Sequence, residues 1–196
     1  MRSLLRLSTA IDRITAVIGH TVSWFILAAV LISAGNAIVR KAFDTSSNAW
    51  LEAQWYLFSA VFLLAAAYTL KRDEHIRIDV VSGMLPKSVR NWIDLIGHVL
   101  MLMPFALLML YYAVPFFLTS WRQHEASSNA GGLIVWPAKV LVVAGFAVLA
   151  VQGVSEIIKR IAIMRGDIPD PRGESGPHSA AEIITGDENI MQDQQR

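Results

Sequence analysis

Four apolar runs, roughly Ile14 to Val39, Ala49 to Leu70, Trp92 to Leu118 and Leu133 to Ile158, are separated by short stretches that hold most of the charge. Each run reaches or exceeds the ~20 residues a helix needs to cross a hydrocarbon core ~30 Å thick. A backbone amide in that core has no water to bond, so each run is predicted to be helical throughout. The pattern predicts an all-α integral membrane protein with transmembrane helices over 14–39, 49–70, 92–118 and 133–158. Residues 1–13 form an N-terminal segment, 71–91 an interfacial segment and 119–132 a loop, and 165–196 are left as a tail.

The connecting segments refine this outline. HIRIDVVSGMLPKSVR alternates polar and apolar residues and breaks at Pro86, which predicts a segment lying along the interface before a helix starts near Lys87. Pro104 removes a backbone donor near the middle of the third run and frees a carbonyl one turn earlier, so a kink is expected there. After Met164 the chain turns rich in Gly, Pro and acids, the composition of a disordered tail. The N-terminal MRSLLRLSTAIDR has the basic character of a signal peptide, with small residues at Ala34 to Ala37. The run that follows exceeds a signal core of ~7–15 residues, so the segment is taken as the start of the first span.

Composition agrees with a membrane domain: of 196 residues, 54% are hydrophobic and 17% charged, too apolar a surface for one soluble domain of this size. The net charge of +1 says less than where the charges lie. Arg2, Arg6 and Arg13 precede the first span; Lys71, Arg72, Arg77, Lys87 and Arg90 lie between spans two and three; Lys159, Arg160 and Arg165 follow span four. The other two loops carry only Arg40, Lys41 and Arg122. Basic residues stay on the cytoplasmic side, which predicts both termini, the 71–91 segment and the 165–196 tail in the cytoplasm and the 119–132 loop in the periplasm. Trp50, Trp55, Tyr56, Trp121 and Trp136 then anchor the outer interface, and Trp92 the inner one. There are no cysteines, which excludes disulfides, thiolate metal sites and cysteine nucleophiles.

The middle thirds of the runs hold almost nothing that could bind a substrate or an ion. Span one has no polar residue from Phe25 to Ile32, span three none from Val99 to Leu110 and span four none from Val140 to Val151. A transporter that carries its own site marks it at mid-depth with acids, amides or glycine-broken helices. No paired catalytic carboxylates, nucleophile triad, phosphate loop, metal-binding or nucleic-acid motif is present, so no catalytic, cofactor or metal site is predicted. The ionisable residues inside the runs sit near their ends: His20, Asp94 and His98 toward the cytoplasm, Glu52 and Lys139 toward the outside.

Glu52 and Lys139 lie at matching depths, and Lys139 falls in a helix's first turn, where a cation opposes the helix dipole and calls for an anion. A structural Glu52–Lys139 ion pair is expected, within an outer-face cluster of Trp50, Asn129, Gly131, Gly132, Trp136 and Pro137. The alternative is that Glu52 complements its own helix N-terminus while Lys139 extends to lipid phosphates. His20 and His98, at similar depths in spans of the same direction, allow a second class of protein, a membrane cytochrome subunit with haem held between them. Small residues recur as Ala29, Ser33 and Ala37 on span one and Ala53, Ala60 and Ala67 on span two, faces on which another helix can pack closely.

With four spans, the outer-end segment WLEAQWYLF, the junction AAAYTLKRDEHIRIDVV and the run SSNAGGLIVWPAK, residues 10 to 162 resemble the small membrane subunit of tripartite ATP-independent periplasmic (TRAP) transporters, the DctQ type. The resemblance implies a non-enzymatic inner-membrane protein that works with a large permease subunit, which holds the substrate and sodium sites, and with a periplasmic solute-binding protein. It implies a scaffolding role for the permease, a docking surface for the binding protein, and organic acids as the imported substrates. The partners expected are these two proteins and membrane lipid, with no nucleic acid.

Overall fold

The computed structural model describes residues 1–45, 47–72 and 86–170; residues 73–85 of the expected 71–91 interfacial segment and residues 171–196 of the expected 165–196 tail lie outside them. The described residues form four helices: α1 (Arg2–Phe43), α2 (Asn48–Arg72), α3 (Lys87–Arg122) and α4 (Trp136–Met164). All four are long and apolar enough to cross a membrane. At 42 residues, α1 outruns the apolar stretch 14–39 at both ends, because its polar start continues the same helix and packs against α4. The helix stops where Asp44 adopts a left-handed conformation (φ 50°).

The widest departure from regular helix lies where Pro104 was expected to act. The segment Gly97–Leu102 is π-helical, and the Met103 amide reaches back five residues to the His98 carbonyl. Pro104 has no amide to contribute, and the wider turn just before it redistributes the bonds that a regular α-helix would lose. The disturbance therefore appears on the N-terminal side of the proline.

α4 is the centre of the bundle. α1, α2 and α3 each pack along it, and α1 also packs along α2. In its apolar window 39% of residues are buried, against 17% or less in the other three helices. Its seams are built from small side chains. A Cβ on Gly145 would lie 2.7 Å from the Cβ and 3.0 Å from the carbonyl oxygen of Leu63 on α2. On α1, a Cβ on Gly19 would meet the Tyr68 ring at 2.5 Å. Ala29, Ala60, Ala67, Ala106, Ala113 and Ala150 are six of the nine buried apolar residues among the described residues. Membrane helices gain little by burying large apolar groups already solvated by lipid, so they associate where small residues allow close approach. The alanine repeats of spans one and two are thus largely used inside the chain, whereas Ala37 is exposed. Large apolar groups point outward instead, led by Phe62 at 79% and Met101 at 77% exposure.

Candidate functional site

Polar interactions gather at the two ends of the bundle. One end carries the 123–135 connection between α3 and α4; the other carries the start of α1 and the end of α4.

The connection is a small, tightly bonded hairpin. α3 ends with His124 left-handed (φ 47°); its amide bonds to the Trp121 carbonyl and that of Glu125 to Ser120, a closure that turns the chain sharply. Ala126 then pairs antiparallel with Ile134, flanked by bonds from Ser127 N to Leu133 O and from Val135 N to Glu125 O, each 2.9 Å. The tip is a turn closed by Gly132 N on Asn129 O at 3.0 Å, with Gly131 at φ 70°, the value that favours glycine at its third position. Gly132 is required for space: a Cβ there would lie 2.5 Å from that of Ser127 and 2.8 Å from a Glu52 carboxylate oxygen.

Three residues of α2 spaced by four, Asn48, Glu52 and Tyr56, hold this hairpin along one helix face. The Asn48 amide donates to the Ala130 carbonyl at 2.9 Å and the Tyr56 hydroxyl to the Ile134 carbonyl at 3.0 Å. Glu52, 5% exposed, grips both arms. One carboxylate oxygen accepts from the Ser127 hydroxyl and from the Asn129 amide (2.8 Å); the other accepts the Leu133 backbone N–H (2.6 Å).

The expected Glu52–Lys139 pair is therefore not formed. Lys139 bonds instead to Glu125, with its ammonium 4.0 Å from the Phe116 ring centroid. The hairpin explains the choice. Val135 N on Glu125 O ties the first residue of the hairpin to the residue before α4, within reach of a lysine one turn on, while Glu52 is satisfied by neutral donors. The bond to Lys139 holds the Glu125 carboxyl below its ordinary value. Trp136 stands edge-on to Trp121 at 4.5 Å between centroids, and Pro137 occupies the first turn of α4. Of the expected cluster, Glu52, Asn129, Gly131 and Gly132 come together in the hairpin, and Trp136, Pro137 and Lys139 adjoin it. Trp50 does not join them. Two residues from Glu52 it points about 200° around the helix, and it lines a groove of about 250 Å³ with Gly35, Asn36 and Val39 of α1.

The opposite end holds a buried polar network between α1 and α4. Gln152, fully buried, accepts from the Thr15 hydroxyl (2.8 Å) and donates to Asp12 (2.8 Å) and Glu156 (2.9 Å). Ser155 donates to Asp12 at 2.8 Å and bonds to Ser8 at 2.7 Å. Lys159 bridges Asp12 (3.1 Å) and Glu156 (2.5 Å). Beside it Arg160 reaches Asp94 (3.5 Å) and Asn91 (3.4 Å) on α3. Of these residues, the sequence had singled out Asp94 alone as a polar group inside a span.

His20 and His98 are not brought together. Each bonds through Nδ1 to a carbonyl of its own helix, Ala16 and Asp94 respectively. His20 is exposed beside Tyr68 on α2, whereas His98 is buried on α3, and no packing seam joins α1 to α3 among the described residues.

No curated protein matches the chain. The family model described as tripartite ATP-independent periplasmic transporters, DctQ component, matches residues 29–162, more than half of the sequence, including the hairpin and the residues that hold it. It is a family of transporter components rather than enzymes, whose members work with a large permease and a binding protein. With four helices able to cross a membrane, the chain belongs to the DctQ family and is a multi-pass small component of a TRAP transporter.

Proposed function

We propose that this chain is the small permease subunit of a sodium-coupled importer of organic acids in a bacterial inner membrane. It acts as a scaffold for the large permease subunit and presents its 123–135 hairpin to the periplasmic binding protein. Both termini are cytoplasmic in this reading, which the distribution of Lys and Arg supports. The observation that carries it is the separation of polar from apolar along the bundle. Among the described residues, buried hydrogen bonding between helices gathers at the two ends, while the helices meet at mid-depth through alanine and glycine and expose large apolar groups. A scaffold needs that arrangement. The hairpin, fixed by Asn48, Glu52 and Tyr56, offers a soluble partner a surface held by hydrogen bonds at that end.

The test is sodium-driven uptake of an organic acid into proteoliposomes that contain the large subunit and its binding protein, with and without this chain. Uptake should depend on the chain; full uptake in its absence, or uptake by the chain alone, refutes the assignment. The absence of native cysteines allows orientation to be read from single substitutions. Ser128→Cys should label from the periplasm and Ser3→Cys only after the membrane is opened.

A further inference from the structure

α1 contains two glycines, and only one of them is explained by a neighbouring helix. A Cβ on Gly19 would strike the Tyr68 ring, whereas one on Gly35 would meet nothing within 4 Å. A glycine inside a helix costs about 1 kcal/mol against alanine. What the missing side chain leaves here is the floor of the groove of about 250 Å³ between α1 and α2, at the end of the bundle where Asn48 bonds to the hairpin. Val39 and Trp50 wall the groove, Asn36 lines it beside the glycine, and Thr45 and Ser47 belong to the connection that joins the two helices at its outer end. Polarity is graded along it. The apolar stretch of α1 ends at Val39, so Arg40 stands at headgroup level, with Asn36 one turn back on the same face and about 6 Å deeper. None of the Arg40 guanidinium, the Lys41 ammonium, the Asn36 amide and the Trp50 indole N–H has a partner among the described residues. Asp44 is the one acid in the sequence between Lys41 and Asn48, so the rim is net positive.

We propose that this groove seats one phospholipid of the leaflet at the hairpin end, with its phosphodiester on Arg40, its ester carbonyls on the Asn36 amide and the Trp50 N–H, and an acyl chain over Gly35. Charge complementarity selects this occupant. A guanidinium can give two parallel bonds to a phosphate, and the positive rim favours an anion there. The order of the groove, cation, then amide, then apolar floor, is also the order of phosphate, ester and acyl chain in a lipid. A partner's helix laid along the groove would run into the 45–47 connection, where a lipid ends in its headgroup. The site is distinct from the hairpin and does not depend on what docks there.

Native mass spectrometry of the full chain, delipidated in detergent and titrated with phosphatidylglycerol, tests this. One lipid should be held above the background of non-specific adducts. Gly35→Leu puts a side chain into the open groove and should weaken that binding about tenfold or more, while thermal stability does not fall, because the new Cβ meets no neighbour and leucine favours the helix. Arg40→Gln removes the charged bond to the phosphate and should also weaken binding about tenfold. Ala37→Leu, at an exposed position outside the groove, should bind as the parent does. In the assembled transporter, a photo-reactive benzoylphenylalanine in place of Val39 should crosslink to phospholipid. Parent-like affinity in Arg40→Gln, parent-like affinity in a folded Gly35→Leu, or the lack of any tightly held lipid overturns the proposal. Crosslinking of position 39 to a protein subunit overturns it as well, and assigns the groove to a partner's helix.

Discussion

Replacing Gln152 by Leu is expected to weaken the hold of α4 on the first half of α1. The two side chains are similar in volume, so no large cavity opens, but Leu offers no polar atom to the groups Gln152 serves. Thr15, 1% exposed, loses its acceptor, while Asp12 and Glu156 each lose a donor. The loss is partial at each. Asp12 keeps Ser155 and Lys159, Glu156 keeps Lys159, and the Thr15 hydroxyl can turn to a carbonyl of its own helix. Three bonds at about 0.6–1.5 kcal/mol each give roughly 2–4 kcal/mol. Reversible unfolding of the purified chain in mixed micelles measures this directly, with Val154→Leu, an exposed position on the same helix, as the reference. Gln152→Glu should be worse than Leu, since it sets a third carboxylate against Asp12 and Glu156. A Gln152→Leu protein as stable as the parent to within about 0.5 kcal/mol, a difference usual for a neutral surface change, would show that the network contributes no stability.

Glu52→Gln places an NH₂ against a donor whichever way it turns, so protection from amide exchange at Leu133 or order at Ser127 and Asn129 should be lost; unchanged protection across the hairpin refutes the clasp. Because the Glu125 carboxyl is held below its ordinary value in the folded protein, its contribution is complete at neutral pH and is lost as pH falls through that lowered value. Hairpin protection should weaken over that acid range, and Lys139→Gln should remove most of the dependence. The exchange Glu125→Lys with Lys139→Glu should recover part of the binding-protein affinity lost in either single variant, while exchanging Glu52 with Lys139 should recover none; the reverse outcome restores the pairing by depth. Gly145→Ala forces its new Cβ against the backbone of Leu63 and should cost about 1–3 kcal/mol in the same unfolding assay; parent-like stability would show that the α2–α4 seam is loose.

The spans were legible because hydrocarbon imposes one requirement, an unbroken apolar helix of sufficient length, and hydropathy reads it directly. The packing was less so. Alanine and glycine look alike whether they face a helix of this chain or of a partner, and only the structure showed that Ala29, Ala60 and Ala67 are buried at home. The N-terminal extension of α1 was hidden by its polarity. Ser8, Asp12 and Thr15 carried a usable signal, a spacing of four and three that puts them on one helix face. Gln152, Ser155, Glu156 and Lys159 repeat it at the end of α4. Two polar faces at the same end of antiparallel helices are better satisfied by each other than by lipid. The same spacing in Asn48, Glu52 and Tyr56 was the sign that α2 holds something along its first two turns.

Matching Glu52 to Lys139 by depth treated the carboxylate as a charge in search of a charge. A carboxylate has about four acceptor positions, which backbone and hydroxyl donors fill as well as a cation does. Which donors arrive is decided by loop geometry: here Gly131 and Gly132 allow the turn that brings Leu133 N–H back to the residue already holding Ser127 and Asn129. Lys139 is then left to Glu125 at the base of the hairpin, so the two charged residues stabilise one loop from opposite sides without touching. A rigid loop held in this way loses little conformational freedom when a soluble partner settles on it. That property belongs to the hairpin as a whole, and removing any one of its supports on α2, α3 or α4 should weaken docking more than it weakens insertion into the membrane.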